Sequence, residues 1–201
     1  MPADDVEGTS LINNCIQQGI KQSIEITHQN KCERASLILI YSGIDTMAFL
    51  DMPVTQTEAG RDDFIKWADQ YISVTHYRER LTGIDLYGAR CGLLHQYGVE
   101  SKLSRDGKCR MLGYMDPSGI PILRDSRHPD LLMVSITALK HAFFAGIDKF
   151  IADAFADADK RKIVTERMRK FLVHYDVIDY SKASPSSGFM TPDGLSPKMA
   201  R

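Results

Sequence analysis

Between Cys32 and Leu50 the chain reads Cys-Glu-Arg-Ala-Ser-Leu-Ile-Leu-Ile-Tyr-Ser-Gly-Ile-Asp-Thr-Met-Ala-Phe-Leu. Wound at 3.6 residues per turn, this segment is apolar on nearly every side. A helix of that kind cannot lie on a surface. Other elements must cover it all round, so a bundle with this helix at its centre is the expected architecture. Pro53 and the polar stretch to Glu58 end the segment.

The flanking sequence supplies the covering helices. From Leu11 to about Thr27, apolar residues recur at Leu11, Ile12, Cys15, Ile16, Ile20 and Ile24, a helical spacing of three and four. Arg61 to Ile72 is a shorter amphipathic helix carrying Phe64, Ile65, Trp67, Ala68 and Tyr71. Thr82 followed by Asp85 resembles a capping box, and the helix it opens runs to about Gln96. The pattern then changes. Arg110–Met115 and Ile120–Arg124 are short extended runs around Asp116-Pro117-Ser118-Gly119, a turn signal that predicts a β-hairpin. Pro129 suits the first turn of a long helix towards Phe155, and a last helix is expected from about Ala158 to Tyr175. After Tyr180 the composition shifts to Ser, Pro, Gly and Met. The expected fold is therefore all-α for the most part: an antiparallel bundle of about five to six helices with a small β-hairpin inserted near 110–124. The expected domain is 1–180, followed by a disordered tail, 181–201.

Composition narrows the function. With 201 residues, 43% hydrophobic and 25% charged, the chain can bury one full core. It has no run of about 18 apolar residues to span a membrane, and Met1–Ser10 lacks the apolar core of a signal peptide. The four cysteines Cys15, Cys32, Cys91 and Cys109 form no Cys-x-x-Cys pair, so free thiols and a cytoplasmic location are expected. A formal charge of −1 gives no global attraction to nucleic acid, so any RNA contact needs a local patch. Lys160, Arg161, Lys162, Arg167, Arg169 and Lys170 in the last helix are one candidate; the alternative is a solvated helix face. No cofactor or metal is expected. Glu25 and His28 lack a third ligand, Asp148, Asp153, Asp157 and Asp159 lack metal-loop spacing, and nucleotide-binding glycine loops and His-Glu-x-x-His are absent.

The residues most indicative of function are Arg90-Cys91-Gly92-Leu93-Leu94-His95-Gln96-Tyr97. They set an always-charged guanidinium and a titratable imidazole among apolar and small neighbours, which is unfavourable unless both groups are paired or used. On a helix, Ile84, Tyr87, Cys91 and Leu94 form one stripe, with Arg90 and His95 on its flanks. Only Asp85, Ala89 and Gln96 remain for an exposed strip. Gly88 and Gly92 leave room for another backbone. Arg90 and His95 point about 140° apart, so their convergence requires an unwound helix end or a second copy across a twofold axis.

Arg-x4-His in an apolar helix of a helical domain resembles the HEPN superfamily. The resemblance extends to Tyr97, because Arg-x4-His-x-Tyr is the form seen in HEPN toxins paired with a nucleotidyltransferase-like antitoxin that adenylylates that tyrosine. It implies a helical bundle, a homodimer whose two motifs face each other, and a metal-independent endoribonuclease of defence or toxin–antitoxin systems. Cys91 stands where many active members carry a polar residue, often Asn. A second match, Arg169 to His174 followed by Tyr175, lies in a basic amphipathic helix, where arginine is an ordinary solvated residue. Under the resemblance, His95 transfers protons and Arg90 clamps the phosphate and holds the transition-state charge. Asp45, on the central helix beside Leu37, Tyr41, Ile44 and Ala48, supports Arg90 or else faces water. Tyr97 is a modification site or a packed aromatic. The competing reading is a non-catalytic HEPN-like module binding a nucleotide or a protein. In that reading His95 caps the helix C-terminus and Arg90 ties the helix to a buried carboxylate.

Overall fold

A computed structural model describes residues 3–116, 119–124 and 126–171. The chain divides into a unit Met1–Phe171 and a unit Leu172–Arg201. The expected tail 181–201, the end of the last expected helix, and the second motif's His174 and Tyr175 lie outside the described residues.

The first unit is mostly helical. Helix α1 (Ala3–Leu11) continues into a π-helical stretch, Ile12–Gln22, and then into α2 (Ser23–Gln29). The junction residues Leu11 and Ser23 both keep φ −63° and ψ −42°, so the three pieces form one rod. There follow α3 (Glu33–Asp51), α4 (Arg61–Tyr71), α5 (Gly83–Gln96), a short α6 (Lys102–Arg105), α7 (Ile136–Ala156) and α8 (Ala158–Met168). As the apolar pattern requires, α3 is central and packs against α2, α4, α5, α7 and α8. Its Ile40, Tyr41, Ile44 and Met47 are fully buried. Gly43 is required there, because a Cβ at that position would stand 2.6 Å from the Phe143 ring. Trp67 of α4 sits edge-on to Phe143 and Phe150 of α7, with centroids 6.0 and 6.2 Å apart. Such ring pairs add about 0.5–1.5 kcal/mol beyond burial. No helix is long and apolar enough to cross a membrane among the described residues.

The strands depart from expectation in an informative way. Both extended runs exist, as β3 (Met111–Met115) and β4 (Ile122–Arg124), numbered after a separate hairpin, β1 (Thr75–His76) and β2 (Glu79–Arg80). Yet β3 and β4 do not pair with each other. Strand β5 (Leu131–Ser135) lies between them, parallel to β3 and antiparallel to β4. The predicted hairpin at 110–124 is thus an open three-stranded sheet, and the helix predicted from Pro129 begins only at Ile136. The reason is burial. A middle strand is paired along both edges, and the face of β5 that carries Leu132 and Val134 is fully buried. A five-residue apolar run cannot be told from the start of a helix by periodicity. Ser135 ends the strand and caps α7, its Oγ accepting from the Ala138 N–H at 3.2 Å.

The basic last helix is also used internally. Arg167 is buried and donates to the carbonyls of Leu50 (3.0 Å) and Pro53 (2.9 Å), with a further bond to Met52, so it closes the C-terminal end of α3. Lys160 pairs with Asp51 at 2.6 Å. A cation placed on the last carbonyls of a helix is favoured by its dipole.

The most deeply set charge is Asp85, at the third position of α5 and 2% exposed. It accepts from the Thr82 backbone N–H at 3.2 Å, completing the predicted capping box, and from the Arg110 backbone N–H at 2.9 Å. The Arg110 guanidinium also grips it. Burial pushes the carboxyl up, and the bonds from Arg110 and Thr82 more than reverse this, so its pKa lies below the ordinary aspartate value. A carboxylate so depressed adds stability above its unfolded pKa of about 3.9, and that stability is lost as pH falls through the folded value. Asp85→Ala is expected to cost about 2–3 kcal/mol in urea unfolding at pH 7. This is less than for a fully buried pair, because the Arg110 side chain keeps 25% exposure. The gap between wild type and variant should shrink below about pH 4.

Candidate functional site

The site is built on α5, whose two ends are fixed by different means. Its start is held by the Thr82–Asp85 box. Its end is closed by the backbone: Tyr97 takes a left-handed φ of 55°, its N–H reaches the Leu93 carbonyl at 3.0 Å, and the Gly98 N–H reaches Gly92 at 3.2 Å. The chain then doubles back over Gly92, where a Cβ would meet the Gly98 carbonyl oxygen at 2.9 Å and that of Glu100 at 2.7 Å. The room expected at Gly92 therefore admits a backbone. At Gly88 it admits the Cys109 side chain instead.

Arg90 Nε donates to Asp45 Oδ2 at 3.0 Å, joining α5 to the central helix. Arg90 Nη1 lies 3.4 Å from His95 Nε2. Arginine has only donors, so as a hydrogen bond this contact requires Nε2 to accept. The two residues were expected to diverge unless the helix unwound or a second copy intervened. The structure brings them together within one chain while α5 stays helical through Gln96. The long arginine side chain spans the angular gap, and the 3.4 Å separation makes the contact a weak one. The expected exposed strip is corrected too. Gln96 is exposed, but Asp85 and Ala89 are buried at 2% and 5% exposure.

Access differs along this line of groups. The side chains of Arg90 and Asp45 keep 23% and 36% exposure, and His95 is exposed. Burial raises the Asp45 carboxyl above its usual range, although the Arg90 charge and hydrogen bond pull it down. Burial lowers the Arg90 guanidinium, and Asp45 more than offsets that. Tyr97 is 63% exposed, so it is not a packed aromatic. The backbone bonds at Tyr97 and Gly98 already serve the helix end, so His95 is not needed as its cap.

Two neighbours escaped sequence reasoning. The Arg61 guanidinium stands 5.8 Å from the centre of the Tyr87 ring, on the same helix as Arg90. Burial raises the Tyr87 phenol, the Cys91 thiol beside it adds to the rise, and Arg90 and Arg61 oppose it. Arg61 stands on α4, and nothing local to its sequence signals the proximity. Glu25 and His28 take separate partners: Glu25 binds Lys140 at 2.7 Å, and His28 Nε2 lies 3.2 Å from the Thr137 hydroxyl. All four cysteines are free.

The raised Asp45 pKa carries a definite sign. A carboxyl raised on folding contributes most stability below its unfolded value and loses it as pH climbs through the folded one. Ionised Asp45 is therefore held against stability at neutral pH. Asp45→Asn keeps an acceptor for Arg90 without the charge. It is expected to leave the melting temperature at pH 7 unchanged or higher, with the advantage over wild type growing as pH rises above the ordinary aspartate value of about 3.9. A clear loss of stability at pH 7 would contradict this. Comparison with protein-family models, curated proteins and solved structures finds no match for this chain.

Proposed function

We propose that the chain is a metal-independent endoribonuclease of HEPN type that acts on RNA in the cytoplasm as a homodimer, in a defence or toxin–antitoxin setting. The observation that carries this reading is the contact of Arg90 with His95 at 3.4 Å on the surface end of a helix whose other sides are packed. Cleavage without a metal needs a base for the RNA 2′-hydroxyl, an acid for the 5′-oxygen and a cation for the phosphorane. His95 Nε2 offers a lone pair for the first task. Asp45 holds the Arg90 Nε and His95 faces Nη1 through a weak contact, so Nη2 is turned to phosphate first and Nη1 follows it. An arriving phosphate draws the guanidinium fork away from the imidazole and frees Nε2 to take the proton. In a dimer, the second copy's histidine serves as acid. The exposed side chains of Tyr97 and Val99, beside His95, supply apolar surface for that second copy. The same exposure leaves the Tyr97 hydroxyl reachable by a nucleotidyltransferase-like antitoxin.

One observation favours a second reading, a non-catalytic module that binds a nucleotide or protein. The Arg90–Asp45 ion pair fastens two helices, a structural task that needs no reaction. One experiment separates the two. Wild type and His95→Ala are incubated with total RNA, with and without EDTA. The nuclease reading expects cleavage by wild type in both conditions and a loss of about 10²–10⁴-fold in the variant at unchanged helical content. Undiminished cleavage by His95→Ala, or loss of wild-type cleavage with EDTA, would defeat it. Intact RNA with wild type would favour the module.

A further inference from the structure

The β1–β2 hairpin carries a feature that neither the core nor the α5 site uses. Its two strands pair as Thr75 with Arg80 and His76 with Glu79, leaving Tyr77 and Arg78 as the turn. Tyr77 is 95% exposed and has a left-handed φ of 51°. Tight hairpin turns with φ above zero favour Gly, Asn or Asp, and a bulky residue there is strained. Strain held at an exposed position points to a use. The ring stands edge-on to that of His76, with centroids 4.3 Å apart.

The charges around this ring are sorted. Glu79 turns towards the sheet, accepting from Arg110 at 3.1 Å and from Arg124 Nε at 2.7 Å. Arg78 and Arg80 are exposed, and among the described residues neither has a carboxylate partner. The hairpin is anchored from below. Arg110 Nη2 donates to the Arg80 carbonyl at 2.6 Å, and Leu81 N–H closes the base on Val74 at 3.0 Å. An exposed aromatic ring on the same two-residue turn as Arg78, with Arg80 on the returning strand of the same hairpin, offers a stacking face and two cations on one anchored element, which suits a nucleobase and its adjacent phosphates.

We infer that this hairpin is a single-stranded RNA-binding element, in which one base stacks on Tyr77 and the adjacent phosphates pair with Arg78 and Arg80. The inference rests on the ribonuclease reading for its choice of RNA. It adds a contact surface at the opposite end of α5 from His95: the helix starts at Gly83, three residues after β2. Bound there, a strand is held by stacking and charge, so the element tightens binding without reading sequence.

The test uses the full chain carrying His95→Ala, so that RNA survives, and a 5′-fluorescein-labelled 12-mer of uridylate followed by anisotropy between 50 and 200 mM salt. Tyr77→Gly removes the ring while relieving the left-handed strain. It is expected to bind about tenfold more weakly with a melting temperature no lower than its parent. Tyr77→Trp keeps the stacking face and should keep the affinity. Arg78→Ala with Arg80→Ala should reduce the slope of log affinity against log salt by about 1.4. Absence of binding, or equal affinity of Tyr77→Gly and its parent, would overturn the inference. So would displacement of the RNA by oligoglutamate with no sensitivity to Tyr77, which would mark a surface for an acidic protein. Failure of the nuclease reading looks different: the chain with His95 intact leaves the 12-mer uncut, while the binding effects of the hairpin variants persist.

Discussion

Helix α3 is apolar on most of its sides, and the rest of the unit is arranged to cover them. Each of its fully buried Ile40, Ile44 and Met47 side chains is worth about 1.5–3 kcal/mol of transfer from water. Losing two such burials would remove a large share of a domain's usual stability. That demand draws α2, α4, α5, α7 and α8 around one axis. It also explains where the site lies. Asp45 is a carboxylate on a helix otherwise built for burial, and the neighbour that meets it is α5, which presents Arg90. The ion pair is a consequence of covering α3, and it sets the direction of the guanidinium.

The two carboxylates that hold α5, Asp85 and the half-buried Asp45, differ in kind. Asp85 is saturated with donors from Thr82 and Arg110, and its ionised form is favoured by the fold. Asp45 has Arg90 alone, and burial outweighs the attraction. The first is a fastening, joining the start of α5 to β3 through Arg110. The second is a charge kept where the fold itself gains little from it. Functional sites are where such groups collect, because positioning a cation for a ligand matters more there than stability. The left-handed Tyr77 belongs to the same class: a residue that satisfies no local preference, held in place by a well-anchored surrounding.

What was legible in the chain followed from short-range physics. The periodicity of Cys32–Leu50, the amphipathic pattern of Arg61–Ile72 and the Thr82–Asp85 box each describe interactions within a few residues, and each element stands within about two residues of its expected bounds. For Asp45 the sequence left two readings open, a partner in Arg90 or a face towards water, and the structure shows the ion pair at 3.0 Å on a side chain that keeps 36% exposure. The three-stranded sheet was not legible, because its pairing depends on β5 inserting between two runs that a strong local turn signal joined. Leu131–Ser135 suits either helix or strand, and pairing with a strand on each edge decides. The exposure of Tyr97, the burial of Asp85 and the task of Arg167 at the end of α3 were hidden for the same reason. Each depends on a segment distant in the chain.

The amino-acid order alone determined that this chain makes a mostly helical bundle around one apolar helix, and that an arginine and a histidine share a packed helix with a tyrosine after them. Those facts come from patterning and local hydrogen bonding, which act over one or two turns. Only the tertiary structure decided that Arg90 reaches His95 within a single chain, that α5 stays wound to Gln96, and that Arg78 and Arg80 are left facing water beside Tyr77. Side-chain reach, the path of the chain over Gly92 and the claim of Arg110 and Arg124 on Glu79 settle these matters, and each joins residues that the sequence holds apart.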